Sequence, residues 1–134
     1  MPIGGIGSAG ITTIRDIGEI VLTVDGGGSS LSTGDVKAYY TLPYPGIITA
    51  WFITGDPSGS VSVDVWRKPG AIPSVADTIT TDYPTLSGQS YNKTDPVNPA
   101  LWSVSCNAGD VFGFSIRSAS GVTKVVLTLQ LARN

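Results

Sequence analysis

Period-two alternation of apolar and polar residues, repeated along the chain, constrains this sequence more than any other feature. Between Thr123 and Ala132, Val125, Leu127, Leu129 and Leu131 point one way while Lys124, Val126, Thr128 and Gln130 point the other. Val61, Val63 and Val65 alternate in the same manner with Ser60, Ser62, Asp64 and Trp66, and Phe112, Phe114 and Ile116 share a face further on. Successive side chains of a strand leave on opposite faces, so these stretches read as half-buried β-strands. No helical periodicity survives over an eleven-residue window, although Pro73 to Ile79 has room for one short turn.

The remaining strands follow from the same reading. Ile20 to Val24 is the first, and Asp35 to Leu42 the second, with Val36, Ala38 and Tyr40 on one face and Lys37 and Tyr39 on the other. Ile47 to Thr54 carries bulk on both faces, as a strand does when both sides are covered or one side meets another subunit. Gly55-Asp56-Pro57-Ser58-Gly59 separates it from the valine strand, and the pair is expected to form a hairpin. Residues 82–99 are interrupted by Pro84, Gly88, Pro96 and Pro99 and read as the least structured stretch. Leu101 to Val104 is a short apolar return.

Seven or eight strands at this spacing predict a single all-β domain. The expected architecture is an antiparallel β-sandwich, jelly-roll-like rather than immunoglobulin-like, because the Cys…Trp…Cys signature is absent. Composition agrees: only 13% of residues are charged, while 17 Gly and 9 Pro supply turns. Residues 1–14 are Gly-rich, weakly apolar and uncharged, and form an N-terminal arm ahead of a domain at 15–134. The arm is either a frayed terminus or a segment that orders against a partner subunit through Ile3, Ile6 and Ile11. Trp51, on the two-sided strand, is the matching candidate for an assembly contact.

Chemistry is sparse. There is no His, which removes the Ser-His-Asp triad and the commonest zinc ligand; a lone Cys cannot build a structural zinc site, so no metal and no cofactor is expected. Cys106 reads as a buried, inert thiol. Gly26 to Gly28 are followed by Ser and Leu and no helix, which makes them a hairpin loop rather than a phosphate loop. Asp25, Asp56 and Asp110 sit in turn contexts that use their carboxylates on nearby backbone N–H groups. Asp64 and Asp77 are the best remaining carboxylate pair for glycoside hydrolysis; the alternative is that they tie down the Pro-flanked loop between them. Trp66, Trp102 and Tyr91 are candidate stacking platforms for a glycan, set against a core or interface role for the tryptophans. Asn92-Lys93-Thr94 matches the glycosylation sequon and reads as incidental.

The net charge of −2 and eight scattered basic residues offer no footprint for nucleic acid. No apolar run is long enough for a membrane-spanning helix, and no secretory signal is visible, so synthesis in a reducing cytoplasm is expected.

Several segments in order resemble a small β domain of tailed-bacteriophage structural proteins, found in tail, fibre and decoration components. They are Val24-Asp25-Gly26-Gly27-Gly28, Thr33-Gly34, Ser58-Gly59-Ser60-Val61, Val63-Asp64-Val65-Trp66, Pro73 with Val75-Ala76-Asp77-Thr78-Ile79, Pro84-Thr85-Leu86, Leu101-Trp102 and Ala108-Gly109-Asp110-Val111. The resemblance spans about Ile20 to Leu131. It implies a non-enzymatic virion component that forms a homo-oligomer, a trimer for preference, among other virion proteins. It also implies a possible second role in adhesion to host surface polysaccharide. The chain departs from the family in carrying the domain alone behind a short arm, and in having Lys68-Pro69-Gly70 where relatives are more aromatic.

Overall fold

The computed structural model describes residues 17–31, 33 and 36–133. Ile3, Ile6 and Ile11, and with them the arm, lie outside the described residues. The chain is all-β, with strands β1 (Ile17–Asp25), β2 (Val36–Thr41), β3 (Gly46–Pro69), β4 (Thr85–Thr94), β5 (Ser105–Cys106), β6 (Asp110–Ser120) and β7 (Lys124–Arg133). The short turn expected near Pro73 is a single 3-10 turn at Val75–Asp77. Every pairing is antiparallel, in the order β1-β7-β3-β6-β2, with β4 and β5 on the other edge of β3.

The expected hairpin at Gly55–Gly59 is not there. β3 is one strand of 24 residues running through it. Its first part pairs with β7, from Gly46↔Arg133 to Asp56↔Lys124, and its second part with β6, from Ser60↔Ser120 to Pro69↔Asp110. β6 and β7 therefore lie end to end along one edge of β3, interrupted at Gly121–Thr123 opposite the Gly55–Gly59 stretch. Both strands of this long ribbon change course at the same point. Turn-forming composition marked a corner within a strand, because Asp56 O accepts from Thr123 N (3.1 Å) and holds the ribbon together across the bend.

Two short links show how far the ribbon is folded. Leu42–Pro45 connects Thr41, paired with Val111 at the far end of the second half, to Gly46, paired with Arg133 at the far end of the first. Drawn straight, a 24-residue strand spans about 80 Å, whereas four residues reach at most about 14 Å. The ribbon must double back. Its halves face each other as the two layers of a sandwich, with layers about 10 Å apart. Leu42 N donates to Asp110 O (2.8 Å) and Gly109 N donates to Leu42 O (2.7 Å), which locks this open end.

The core lies between the halves. Ile20, Leu22 and Val24 of β1, Val125, Leu127, Leu129 and Leu131 of β7, and Phe112, Phe114 and Ile116 of β6 are buried there as the alternation predicts. Trp51 is 2% exposed and belongs to this core, so it is not available as an assembly contact. A register shift at Thr49 moves the inward-facing positions from Ile48 to Trp51 and Ile53. That bulge, together with Val97 N donating to Thr49 O (2.9 Å), accounts for the bulk on both faces of the strand.

Two further expectations are corrected. Residues 82–99 contain β4, ten residues long, which pairs with β3 across the corner; Gly88, at φ 62°, is absorbed where the pairing shifts register. Gly26–Gly28 is not a hairpin loop, because β1 pairs with β7 and β2 with β6. β1 approaches the corner along β7 and β2 leaves it along β6, so the Gly-rich stretch carries the chain from one half to the other. Leu31 N, donating to Val122 O (2.9 Å), anchors that passage.

Candidate functional site

With the inner faces filled by core, function is left to the outward faces, and these differ. On the second half, Asp64 and Trp66 of β3 point outward beside Gly113 and Ser115 of β6 and Tyr39 of β2. The Pro-flanked loop folds over them. Trp66 Nε1 donates to Asp64 Oδ2 (2.9 Å), Thr78 Oγ1 donates to Asp64 Oδ1 (2.6 Å), and Ile79 N donates to Val65 O (2.9 Å). A Cβ on Gly113 would lie 3.0 Å from Pro73 Cγ and 3.4 Å from both Trp66 and Tyr39, so glycine lets the loop and two rings close over the strand. Asp64 and Trp66 end up only 5% and 7% exposed.

This placement settles several candidates. Trp66 is a buried clamp, and its ring is closed to a sugar because the loop occupies the space that a ligand would need. Trp102 is buried too, packed in the core and bridged to Thr80; its Nε1, like that of Trp51, has no hydrogen-bond partner among the described residues. Asp64 and Asp77 do not converge on one reacting centre: Asp64 holds Trp66 and Thr78, while Asp77 accepts from Ser74 N (2.8 Å) and caps the turn. Asp25 accepts from Gly27 N and Asp110 from Asn107 N, both at 2.8 Å, as turn aspartates do.

Cys106 is buried, and burial pushes its thiol above the ordinary value while nearby Arg67 pulls the other way. Arg67 Nη1 also donates to Ser103 O (2.7 Å), and its Nε lies 3.6 Å from Asp110 Oδ2. Arg67 thereby ties the end of the second half to the Ser103–Cys106 segment, which pairs with the first.

The first half presents a bare outward face. Register places Thr23, Val126, Thr54 and Tyr91 in one row across β1, β7, β3 and β4, and Val21, Thr128, Phe52 and Lys93 in the next. Tyr91 is 51% exposed and Val21 48%. Toward the corner, Asp25, Lys124 and Asp56 form a third row. Thr54, Gly55, Asp56, Lys124 and Val126 line a notch of about 230 Å³. Residues directly opposite on paired strands hold their Cβ atoms about 5 Å apart, so Tyr91 stands at the rim of this notch beside Thr54. A second groove, of about 300 Å³, runs between Thr78–Thr81 and Ala100–Ser103 along the outer margin of the second half.

Of the three candidate glycan residues, Tyr91 alone offers an open ring. Thr54, Asp56 and Lys124 were not singled out as site residues from the sequence. Asp56 sits among turn formers, and only the pairing of the ribbon sets it beside Lys124. No metal-binding cluster of His, Cys, Asp or Glu occurs among the described residues.

No family model and no curated protein sequence matches this chain. Among solved structures, RmlC from Streptococcus suis in complex with dTDP-D-xylose is similar at 9% identity, over 88% of this chain and 44% of that one, with a TM-score of 0.26. A likeness at that level carries no argument about what this chain does.

Proposed function

We propose that this protein is a non-enzymatic structural subunit of a tailed-bacteriophage virion, a decoration, fibre or tail-associated protein that self-assembles, with a trimer favoured. The observation that supports this reading is where the phage-like segments fall in the fold. Gly59 sits at the corner, Asp64, Trp66 and Thr78 form the clamp, Asp77 caps the turn, and Asp110 closes the open end. The shared residues are thus those a sandwich of this shape requires, as expected when a resemblance reflects common architecture. Mass spectrometry of purified particles tests the reading. A high copy number puts the subunit on the capsid and a low one at the neck or tail, while absence from particles overturns the proposal. Light scattering tests the assembly half, which a clean monomer at high-micromolar concentration would contradict.

The second reading is a carbohydrate-binding module that attaches the particle to host glycan. It is favoured by the exposed Tyr91 beside a notch lined by Thr54, Asp56, Lys124 and Val126 on the outward sheet face. A glycan array with the wild-type chain decides it, and no binding to any host glycan rules it out.

A further inference from the structure

We infer that the notch on the outward face of the first half is a subsite for one uncharged pyranose unit, stacked against Tyr91 and hydrogen-bonded by Thr54, Asp56 and Lys124. This rests on the glycan-binding reading of that face and says which sugar chemistry the face would take, and where.

The geometry supplies both characters that a pyranose presents. The flat C–H face of such a ring is apolar and suits the Tyr91 ring and the Val126 side chain, both on the same outward face. Its equatorial edge is a row of hydroxyls. Asp56 can accept two of them, Lys124 can donate, and the Thr54 hydroxyl can do either. The Asp56 main-chain oxygen is taken by Thr123, at 3.1 Å from the backbone N and 2.9 Å from Oγ1, yet its carboxylate has no hydrogen bond or ion pair with a described residue. The Lys124 ammonium likewise has none, although Asp25 and Asp56 stand opposite it on the two neighbouring strands. These are solvated polar groups whose backbone positions the ladders set side by side.

Rigidity favours binding at this place. Thr54 pairs on both sides, with Val126 and with Tyr91, so its wall of the notch does not have to be ordered by a ligand. Gln89 Nε2 donates to Tyr91 O (2.8 Å) and steadies the rim.

Size and charge narrow the ligand. About 230 Å³ falls below the roughly 300–1,000 Å³ of sites that enclose drug-sized molecules, which fits a single sugar unit of a longer chain. Asp56 is the carboxylate that lines the notch, and an acidic sugar seated against it would bring like charges together, so uronates and sialic acid are disfavoured.

The test uses the full chain, isotopically labelled, titrated with glucose, galactose, mannose, glucuronate and N-acetylneuraminate while backbone amide shifts are followed. A neutral hexose is expected to move the amides of Thr54 to Asp56, Tyr91 and Lys124. Asp56→Asn should weaken it by about tenfold, the scale of a lost charged hydrogen bond, and Tyr91→Ala, which removes the stacking face, by about three- to tenfold, both with unchanged melting temperature. Tighter binding of either acidic sugar overturns the assignment, as does retained affinity in both variants. If a sugar binds but shifts other residues, this subsite is wrong and the glycan reading survives. If none of these sugars and no host polysaccharide binds, both fall.

Discussion

The two halves of the sandwich share the long strand β3 and yet end with contrasting outward faces. β3 supplies Thr54 and Asp56 to one and Asp64 and Trp66 to the other, and β6 and β7 continue each other along its edge. On the second half the 70–82 loop buries what the strand points outward, and an aspartate and a tryptophan become structural. On the first half no described loop covers Tyr91 or Val21, which stay about half exposed. An outward aromatic on a strand therefore carries no functional meaning until one knows what crosses above it.

Trp66→Ala should break this contrast most severely. It opens a cavity under the loop and takes from Asp64 Oδ2 its indole donor, costing about 3–5 kcal/mol. The urea midpoint should drop accordingly, and proteolysis should begin within the 70–82 loop. A loss below about 1 kcal/mol would mean that the second face is not clamped as described.

The corner joins the halves, and Gly59→Ala tests whether they fold as one unit. A Cβ there would lie 2.5 Å from Ser120 O and 2.9 Å from Val122 Cγ2, and the first contact is backbone that cannot rotate away. Overpacking of this kind costs about 1–3 kcal/mol. Denaturation followed by near-ultraviolet and far-ultraviolet signals should remain a single shared transition at a lower midpoint; two separated transitions would show that the halves unfold independently.

A smaller effect is expected at the open end, where Cys106 meets Arg67. Because burial raises the folded thiol above its ordinary value of 9.0, the folded chain keeps a proton that the unfolded chain gives up as pH rises past that value. Its contribution is complete below the ordinary value and is lost as pH climbs toward the folded one. Stability measured by urea should fall more steeply above pH 9 in wild type than in Cys106→Ala, and equal slopes would refute it.

Tyr91→Ala is the counterpart of Trp66→Ala and should shift stability by less than about 0.5 kcal/mol, as surface changes usually do. A large loss would show that the first face, too, is structural.

Much of this was legible in the residues. The alternation in Val125–Leu131 and Val61–Val65 located core strands and their inward faces, and the turn aspartates Asp25 and Asp110 bond as their contexts suggest. Asp64 and Asp77 also tie down the loop between them, one of the two readings open for that pair. Other features were misread for identifiable reasons. Gly55–Gly59 has the composition of a turn, but a bend shared by two strands of a ribbon needs the same residues as a reversal of one. β4 was obscured by prolines at its flanks and by polar residues along it, because much of it points away from the core. Trp66 and Trp102 looked as available as Tyr91.

Local sequence thus determined what depends on neighbours along the chain: strand periodicity, turn chemistry, and an all-β class held by one apolar core. Whether a residue faces solvent depends on segments far away in sequence, since Thr78 covers Asp64 and Lys124 stands beside Asp56 only once the ribbon has folded back. Periodicity specifies a face, and tertiary packing alone specifies what lies on the other side of it. That is why the core could be read from the chain, while the notch beside Tyr91 emerged only from the registers of four strands.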